Sequence, residues 1–270
     1  MQLDVRDARP KSPDKESGLF VASVEKAFRV LDAISDAKTE LGLSEIAART
    51  GIGKSAAQRF LYTLHALGYL NQDNTSKGYR LSSKLLALSG SYVSADILKA
   101  KAHPILEEAN RRCEETINLT ILDGTDVVYI LRFPSKHVVS VNLAVGTRLP
   151  AYCTAPGRVL LAPLERAKID LVFAKSDLIK HTELTETDPR RLHEILAQVR
   201  RQGYALSNQE AFVGDISVAA PIFDDQDNVT AAVNVAVPFP RWSVAKAKRQ
   251  LIPVVRDVGK AVSKALGWKA

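Results

Sequence analysis

Residues 43–64 read LSEIAARTGIGKSAAQRFLYTL, and the pentad GIGKS at 51–55 admits two readings. It is either a phosphate loop or a turn between two helices. A phosphate loop has the spacing G-x-x-x-x-G-K-[ST] after a buried strand, because its backbone amides must cradle phosphate oxygens. The first glycine of that spacing falls on Ala48, and the preceding EIAART is helical in pattern. The glycines therefore read as punctuation. Ser44 ahead of EIAART is an N-cap signal, its hydroxyl able to accept from first-turn amides. Gly51 ends that helix after barely two turns, and Gly53 lets the chain turn into the next. Two helices joined by a short glycine turn form a helix-turn-helix.

The second helix is expected over about 54–67. Ala57, Phe60, Leu61, Leu64 and Leu67 make one face; Ser55, Gln58, Arg59, Tyr62 and His65 make the other. In a helix-turn-helix this element enters the major groove with its N-terminal side chains leading. Lys54 and Ser55 suit phosphates. Gln58 can pair with adenine and Arg59 with guanine, two hydrogen bonds each, and Tyr62 extends the face. Gly68 stops the helix. YL, a polar NQDNTSKG turn and YRLS then predict a β-hairpin wing, with Lys77 and Arg80 on or beside it. Upstream, Val24, Ala27, Leu31 and Ile34 form the stripe of a first helix. Residues 49–84 carry six bases against one acid, whereas 17–48 carry three bases and five acids. Polar outer faces are ordinary on any three-helix module. The ordered set of capped short helix, glycine turn, basic helix and basic wing points to DNA.

The chain has 270 residues, enough for two domains with full cores, and a net charge of +7 that permits a polyanionic partner. No apolar run approaches the roughly 18 residues of a membrane span. Residues 1–19 are polar and of mixed charge, expected to be a disordered leader. A winged helix-turn-helix is expected over 20–81, a linker helix over 82–98 and an effector-binding domain over 99–270. In the last, HPILEEANRRCEET, TAPGRVLLAPL, DPRRLHEILAQVRRQG and about 243–266 read as helices. INLTILDGTDVVYILRF, YALSNQ, ISVAAPIF and VTAAVNVAVPF read as antiparallel strands, so the fold class is α+β. Two cysteines make no disulfide scaffold and suit a reducing cytoplasm.

The run SVEKAFRVLDAI, LSEIAARTGIGKSAAQRFLYTLHALGYL, GYRLSSKLLAL resembles the IclR family of bacterial transcriptional regulators. ILDGTDVVYI, GTRLPAYCTAPGRVLLA, RRQGYALSNQE, ISVAAPI and AAVNVAVP continue the resemblance, in order, from about Ser23 to Trp268. CTAPGRVLLA followed by NV is most similar to the branch controlling aromatic-acid catabolism. The resemblance implies a linker helix, a GAF-like antiparallel sheet with flanking helices, and homodimers or dimers of dimers on palindromic operators.

In VTAAVNVAVPF, Val229, Ala231, Val233, Val235 and Val237 face one way. Thr230, Ala232, Asn234 and Ala236 face the other, which leaves either room beside an amide or close packing against a helix. Ser217 adds a hydroxyl in the neighbouring strand. A helix starting near Thr154 turns free amides outward, so Ala155 and Gly157 are candidate anion donors, Pro156 having no amide. Arg148 either joins them or makes a surface ion pair. The resemblance implies an effector pocket at this helix start, Ser217, Asn234 and Ala236. Ala236 lacks the hydroxyl frequent there, and Ile216 replaces a common polar residue, which favours a less polar small carboxylate.

Cys153 beside a helix start raises an alternative, a redox switch or a cysteine enzyme. A catalytic cysteine needs a base, and neither His137 nor His181 lies in a catalytic pattern. His65, His103, His137, His181 and His193 are too dispersed for a metal site. No cofactor, metal or catalytic residue is expected. The basic C-terminal helix is a second surface able to touch DNA, or a solvated face.

Overall fold

A computed structural model describes residues 18–37, 39–86, 97–137 and 143–269. The leader expected over 1–19 falls almost wholly outside them, as do residues 87–96 of the expected linker. The chain divides into two compact units, 1–95 and 96–270.

The first unit holds α1 (Ala22–Ser35), α2 (Leu43–Thr50), α3 (Lys54–Ala66) and the antiparallel hairpin β1 (Leu70–Gln72) and β2 (Tyr79–Leu81). Its core is Val30, Ile34, Leu41, Ile46, Ile52, Ala57, Leu61, Leu64 and Leu70. Helices α1 and α3 contribute residues three or four apart, so one stripe of each turns inward, and α2 adds Ile46. The N-cap of α2 is Gly42 rather than Ser44: the Glu45 carboxylate accepts the Gly42 amide at 2.8 Å. Ser44 is thereby placed inside the helix. Gly51 closes α2 at φ 64°, a left-handed conformation that glycine adopts without a Cβ clash. Gly53 sits at φ −56°, open to any residue. An isolated bridge pairs Leu41 with Tyr79, which fastens the hairpin to the segment before α2.

The second unit holds α4 (Ile97–Cys113), β3 (Thr116–Asp123), β4 (Asp126–Phe133), β5 (Arg148–Pro150), α5 (Ala155–Leu161), α6 (Arg166–Lys175), α7 (Pro189–Gln202), β6 (Ala205–Asn208), β7 (Asp215–Phe223), β8 (Val229–Pro238) and α8 (Val244–Ala265). The strands form one antiparallel sheet in the order β5-β4-β3-β8-β7-β6. Strand alternation splits its side chains between two cores. Ile117, Val218, Val233 and Val235 pack with α4 and α8 on one face. Tyr129, Ala219 and Ala232 pack with α5, α6 and α7 on the other. Helix α6 has no counterpart in the sequence reading. Only Ile169 and Phe173 of it are buried, and the 59% exposed Leu171 breaks the stripe.

Candidate functional site

In the first unit, α3 buries Ala57, Leu61 and Leu64 and leaves Lys54, Ser55, Gln58, Arg59 and Tyr62 on its exposed side. Tyr62 is 72% exposed. Among the described residues, no side chain pairs with the amide of Gln58 or the guanidinium of Arg59. A phenol and a guanidinium held out in water on a packed helix are poised for a partner. His65 leaves this face: its Nδ1 lies 2.9 Å from the Leu70 carbonyl oxygen. Lys84 stays at the surface but is engaged, donating to the Leu67 carbonyl at 2.7 Å and covering the Tyr69 ring. Lys77 stands exposed in the hairpin turn at φ 56°. Asp73 shapes that turn by accepting the amides of Ser76 and Thr75, which hold its carboxyl below the usual range. Arg80 is exposed on β2, 3.8 Å from the Glu40 carboxylate.

In the second unit a cavity of about 270 Å³ opens on the α5 side of the sheet. Its floor is a polar row. Arg132, Asn118 and Asn234 are cross-strand neighbours on β4, β3 and β8. Arg132 Nη1 donates to Asn118 Oδ1 at 3.1 Å, Asn118 Nδ2 to Asn234 Oδ1 at 3.4 Å, and Asn234 Nδ2 to Ser217 Oγ at 3.0 Å. Ser207 faces Ser217 from β6 and donates to the Cys153 carbonyl at 3.1 Å. Ala155, Pro156, Ala236 and Pro238 supply apolar wall, and the 211–214 segment closes another side. That segment is tied down next door. The buried Arg158 guanidinium grips both Glu210 oxygens, at 2.6 and 2.5 Å, and the Thr185 hydroxyl donates to the Glu210 carbonyl at 2.6 Å.

Asp215, the first residue of β7, also lines the cavity. Burial pushes its carboxyl up to about 7, with Arg132 pulling the other way. Burial likewise raises the Tyr129 phenol, helped by the Asp215 charge, and lowers the Arg132 guanidinium. These mutual effects put the three groups within electrostatic reach of one another.

Of the residues expected around an effector, Ala155, Ser217, Asn234 and Ala236 meet at this cavity. Two others do not. Arg148 turns to the β3–β4 turn, where it donates to the Asp126 carboxylate at 3.2 Å and the Asp123 carbonyl at 2.9 Å. It makes the surface ion pair that was its alternative. The Gly157 amide is used by the Thr154 hydroxyl at 3.2 Å, so α5 caps itself instead of presenting that donor outward. A Cβ on Gly157 would lie 2.2 Å from the Ala151 carbonyl oxygen, so glycine serves close packing there. Arg132 and Asn118 carry signals in the sequence that went unread. Asn118 and Arg132 each interrupt a run of large apolar residues within their strands, the pattern of a group that faces a cavity.

Cys153 is fully buried, and its thiol is pushed up to about 12 by burial, against a smaller downward pull from Arg158. A nucleophilic or redox thiol needs the opposite shift. No group of three or more His, Cys, Asp and Glu able to hold a metal ion occurs among the described residues. On α8, Lys246 covers the Trp242 ring at 4.0 Å and Arg256 covers Tyr204 at 5.2 Å, so part of that basic face is engaged within the unit.

Comparison with known proteins gives concordant matches. Residues 23–74 match the IclR helix-turn-helix domain, and residues 90–264 match the bacterial transcriptional regulator IclR C-terminal domain. The Pca regulon regulatory protein of Pseudomonas putida is 35% identical over 237 residues, 87% of this chain and 81% of that protein. The HTH-type transcriptional regulator XynR of Escherichia coli (strain K12) is 33% identical over 254 residues, 93% of this chain and 99% of that one. Among solved structures, an IclR homolog from Microbacterium hydrocarbonoxydans complexed with 4-hydroxybenzoate superposes with a TM-score of 0.77. It is 26% identical and covers 90% of this chain and 98% of its own.

Proposed function

Since this chain belongs to the IclR family of bacterial transcriptional regulators, we propose that α3 and the β1–β2 wing read its operator while a small carboxylate in the second unit modulates the binding. The chain is a DNA-binding regulator and not an enzyme. Lys54 and Ser55 hold phosphates, Gln58 and Arg59 read base edges, and Tyr62, Lys77 and Arg80 complete the contact. The observation that carries this is the outward face of α3 on a packed helix-turn-helix, where the Gln58 and Arg59 side chains have no partner among the described residues. Residues 20–81 are then the DNA-binding domain, 82–98 the linker and 99–270 the effector domain.

The effector seat is the cavity, with Ala155, Ser217, Asn234 and Ala236 around it and the Arg132 guanidinium as the anion anchor. A guanidinium pairs with a carboxylate through charge-assisted hydrogen bonds, stronger than neutral ones. The homologue that holds 4-hydroxybenzoate supports an aromatic acid as effector. Two copies of the chain bind a palindromic site, as a dimer or a dimer of dimers. An exposed apolar ridge on and before α1, namely Leu19, Val21, Val24 and Phe28, supports such pairing. The effector shifts the arrangement of the two reading heads only so far as it binds one arrangement more tightly than the other. The site of action is the cytoplasm, consistent with the absence, among the described residues, of any helix long and apolar enough to cross a membrane.

The test sets two arginines against each other. In calorimetric titration with 4-hydroxybenzoate, Arg132→Gln should weaken binding at least tenfold, and Arg148→Gln should leave it within twofold. Equal losses, or a loss confined to Arg148→Gln, would remove Arg132 as the anchor.

A further inference from the structure

Among the charged groups that line the cavity, Asp215 stands apart from the polar floor. Arg132, Asn118, Asn234 and Ser217 are chained to one another. The Asp215 carboxyl has neither a hydrogen-bond nor an ion-pair partner among the described residues. It stands on β7, three strands from β4, and four residues along β7 from Ala219, the residue level with Arg132 across the ladder. Its cross-strand neighbour is Pro238, and Phe212, Val213 and Pro240 also line the cavity; none of the four has a side chain able to pair with it. A half-buried carboxyl without a partner loses part of its hydration and gains no hydrogen bond in return. Strand β7 is otherwise apolar from Val218 to Phe223, so the acid is no accident of a polar strand. What it lacks is a partner that arrives with the ligand.

We propose that Asp215 is a specificity-determining residue of this pocket, selecting carboxylates that carry a hydroxyl at the end away from the carboxylate. The inference rests on the reading of the cavity as an effector seat anchored at Arg132. A hydroxyl is the group that fits, because it satisfies Asp215 in both of its forms. It donates to the carboxylate and accepts from the protonated acid. A second carboxylate or an alkyl end leaves Asp215 stranded or repelled. A site built to hydrogen-bond a hydroxyl rejects the analogue that lacks it far more strongly than an apolar pocket rejects an extra methylene. The upward displacement of the Asp215 carboxyl toward 7 agrees with this environment. The other charged groups facing the cavity are Arg132 and Glu115, and Glu115 is committed to Arg241 and Trp242 at 2.7–3.0 Å. Tyr129 is the remaining titratable group there.

The experiment uses matched acids on the full-length protein: benzoate against 4-hydroxybenzoate, and butanoate against 4-hydroxybutanoate. Dissociation constants are measured by calorimetry for the natural chain and for Asp215→Leu and Asp215→Asn, each checked by circular dichroism. The expected result is a preference of tenfold or more for the hydroxylated member of at least one pair. That preference collapses to within twofold in Asp215→Leu and is partly kept in Asp215→Asn, whose amide still pairs with a hydroxyl. Binding of both members of each pair with equal affinity overturns the role of Asp215 and leaves the effector seat standing. A preference that survives in Asp215→Leu overturns it as well. Failure of all four acids to bind the natural chain overturns the carboxylate seat itself, and this proposal with it.

Discussion

Asp215 couples the cavity to pH through its own ionisation. Its unfolded value is that of an ordinary aspartate, 3.8, and its folded value is raised to about 7. Between those values the folded chain keeps a proton that the unfolded chain has lost. Stability therefore falls as pH rises through this window and is level above it. Asp215→Asn removes the ionisation. In urea unfolding the variant should gain on the natural chain by more than ~1 kcal/mol between pH 5 and pH 8. A gain of the same size at both pH values would mean that the carboxyl is not protonated in the fold. At the other end of the chain, Arg59 should act at the DNA alone. Arg59→Ala is expected to cost about 1–3 kcal/mol of operator affinity and to relax the preference at one base pair. Fluorescence anisotropy against single-base operator variants reads both, and a uniform loss across bases would make Arg59 a phosphate contact. Arg59 was legible because a helix with one apolar face leaves its other face to be read directly. The part of Arg148 stayed open between two alternatives and the Gly157 amide was misplaced, because sequence does not say which neighbour satisfies a donor first. Asp123 and Asp126 reach Arg148 from the β3–β4 turn, more than twenty residues away in the chain, and the Thr154 hydroxyl reaches Gly157 from three residues before it.

Among the elements, α5 shows how little a seven-residue helix owes to propensity. Its residues are all buried, its first turn is closed by Thr154 and Pro156, and Gly157 lets it lie against Ala151. Gly157→Ala would bring a methyl group within 2.2 Å of the Ala151 carbonyl oxygen, a contact that forces the backbone to move. A loss of about 1–3 kcal/mol is expected, the range of an overpacked core. A thermal midpoint unchanged within a degree would show that the segment adjusts freely. The strands and the long helices were readable from period alone, β8 by alternation and α7 by Asp188 and Pro189 at its start and Gly203 at its end. Helix α6 was not, since two buried residues leave no stripe. The cap of α2 was misplaced by two residues because Glu45 reaches back to the Gly42 amide and so takes over the role given to Ser44.

At the scale of the molecule, the exposed ridge Val21, Val24 and Phe28 carries the expectation of pairing between copies. Phe28 is 61% exposed, so Phe28→Glu should fold while moving the sedimentation equilibrium toward single chains and weakening operator binding about tenfold or more. Sedimentation unchanged at micromolar concentration would locate the pairing surface elsewhere. The two-unit plan was visible in the sequence as a change of pattern near residue 99. The cavity was only half visible, because its floor is assembled from β3, β4, β7 and β8, whose order in the sheet no single stretch encodes. Strand β8 has a consequence for descent. Its odd positions Ala231, Val233 and Val235 are sealed in one core, while Asn234 and Ala236 border the opening on the opposite side. Mutations at the even positions can retune which molecule a lineage senses without disturbing the odd ones that hold the scaffold. New chemical tastes can thus be tried on an inherited frame, one residue at a time.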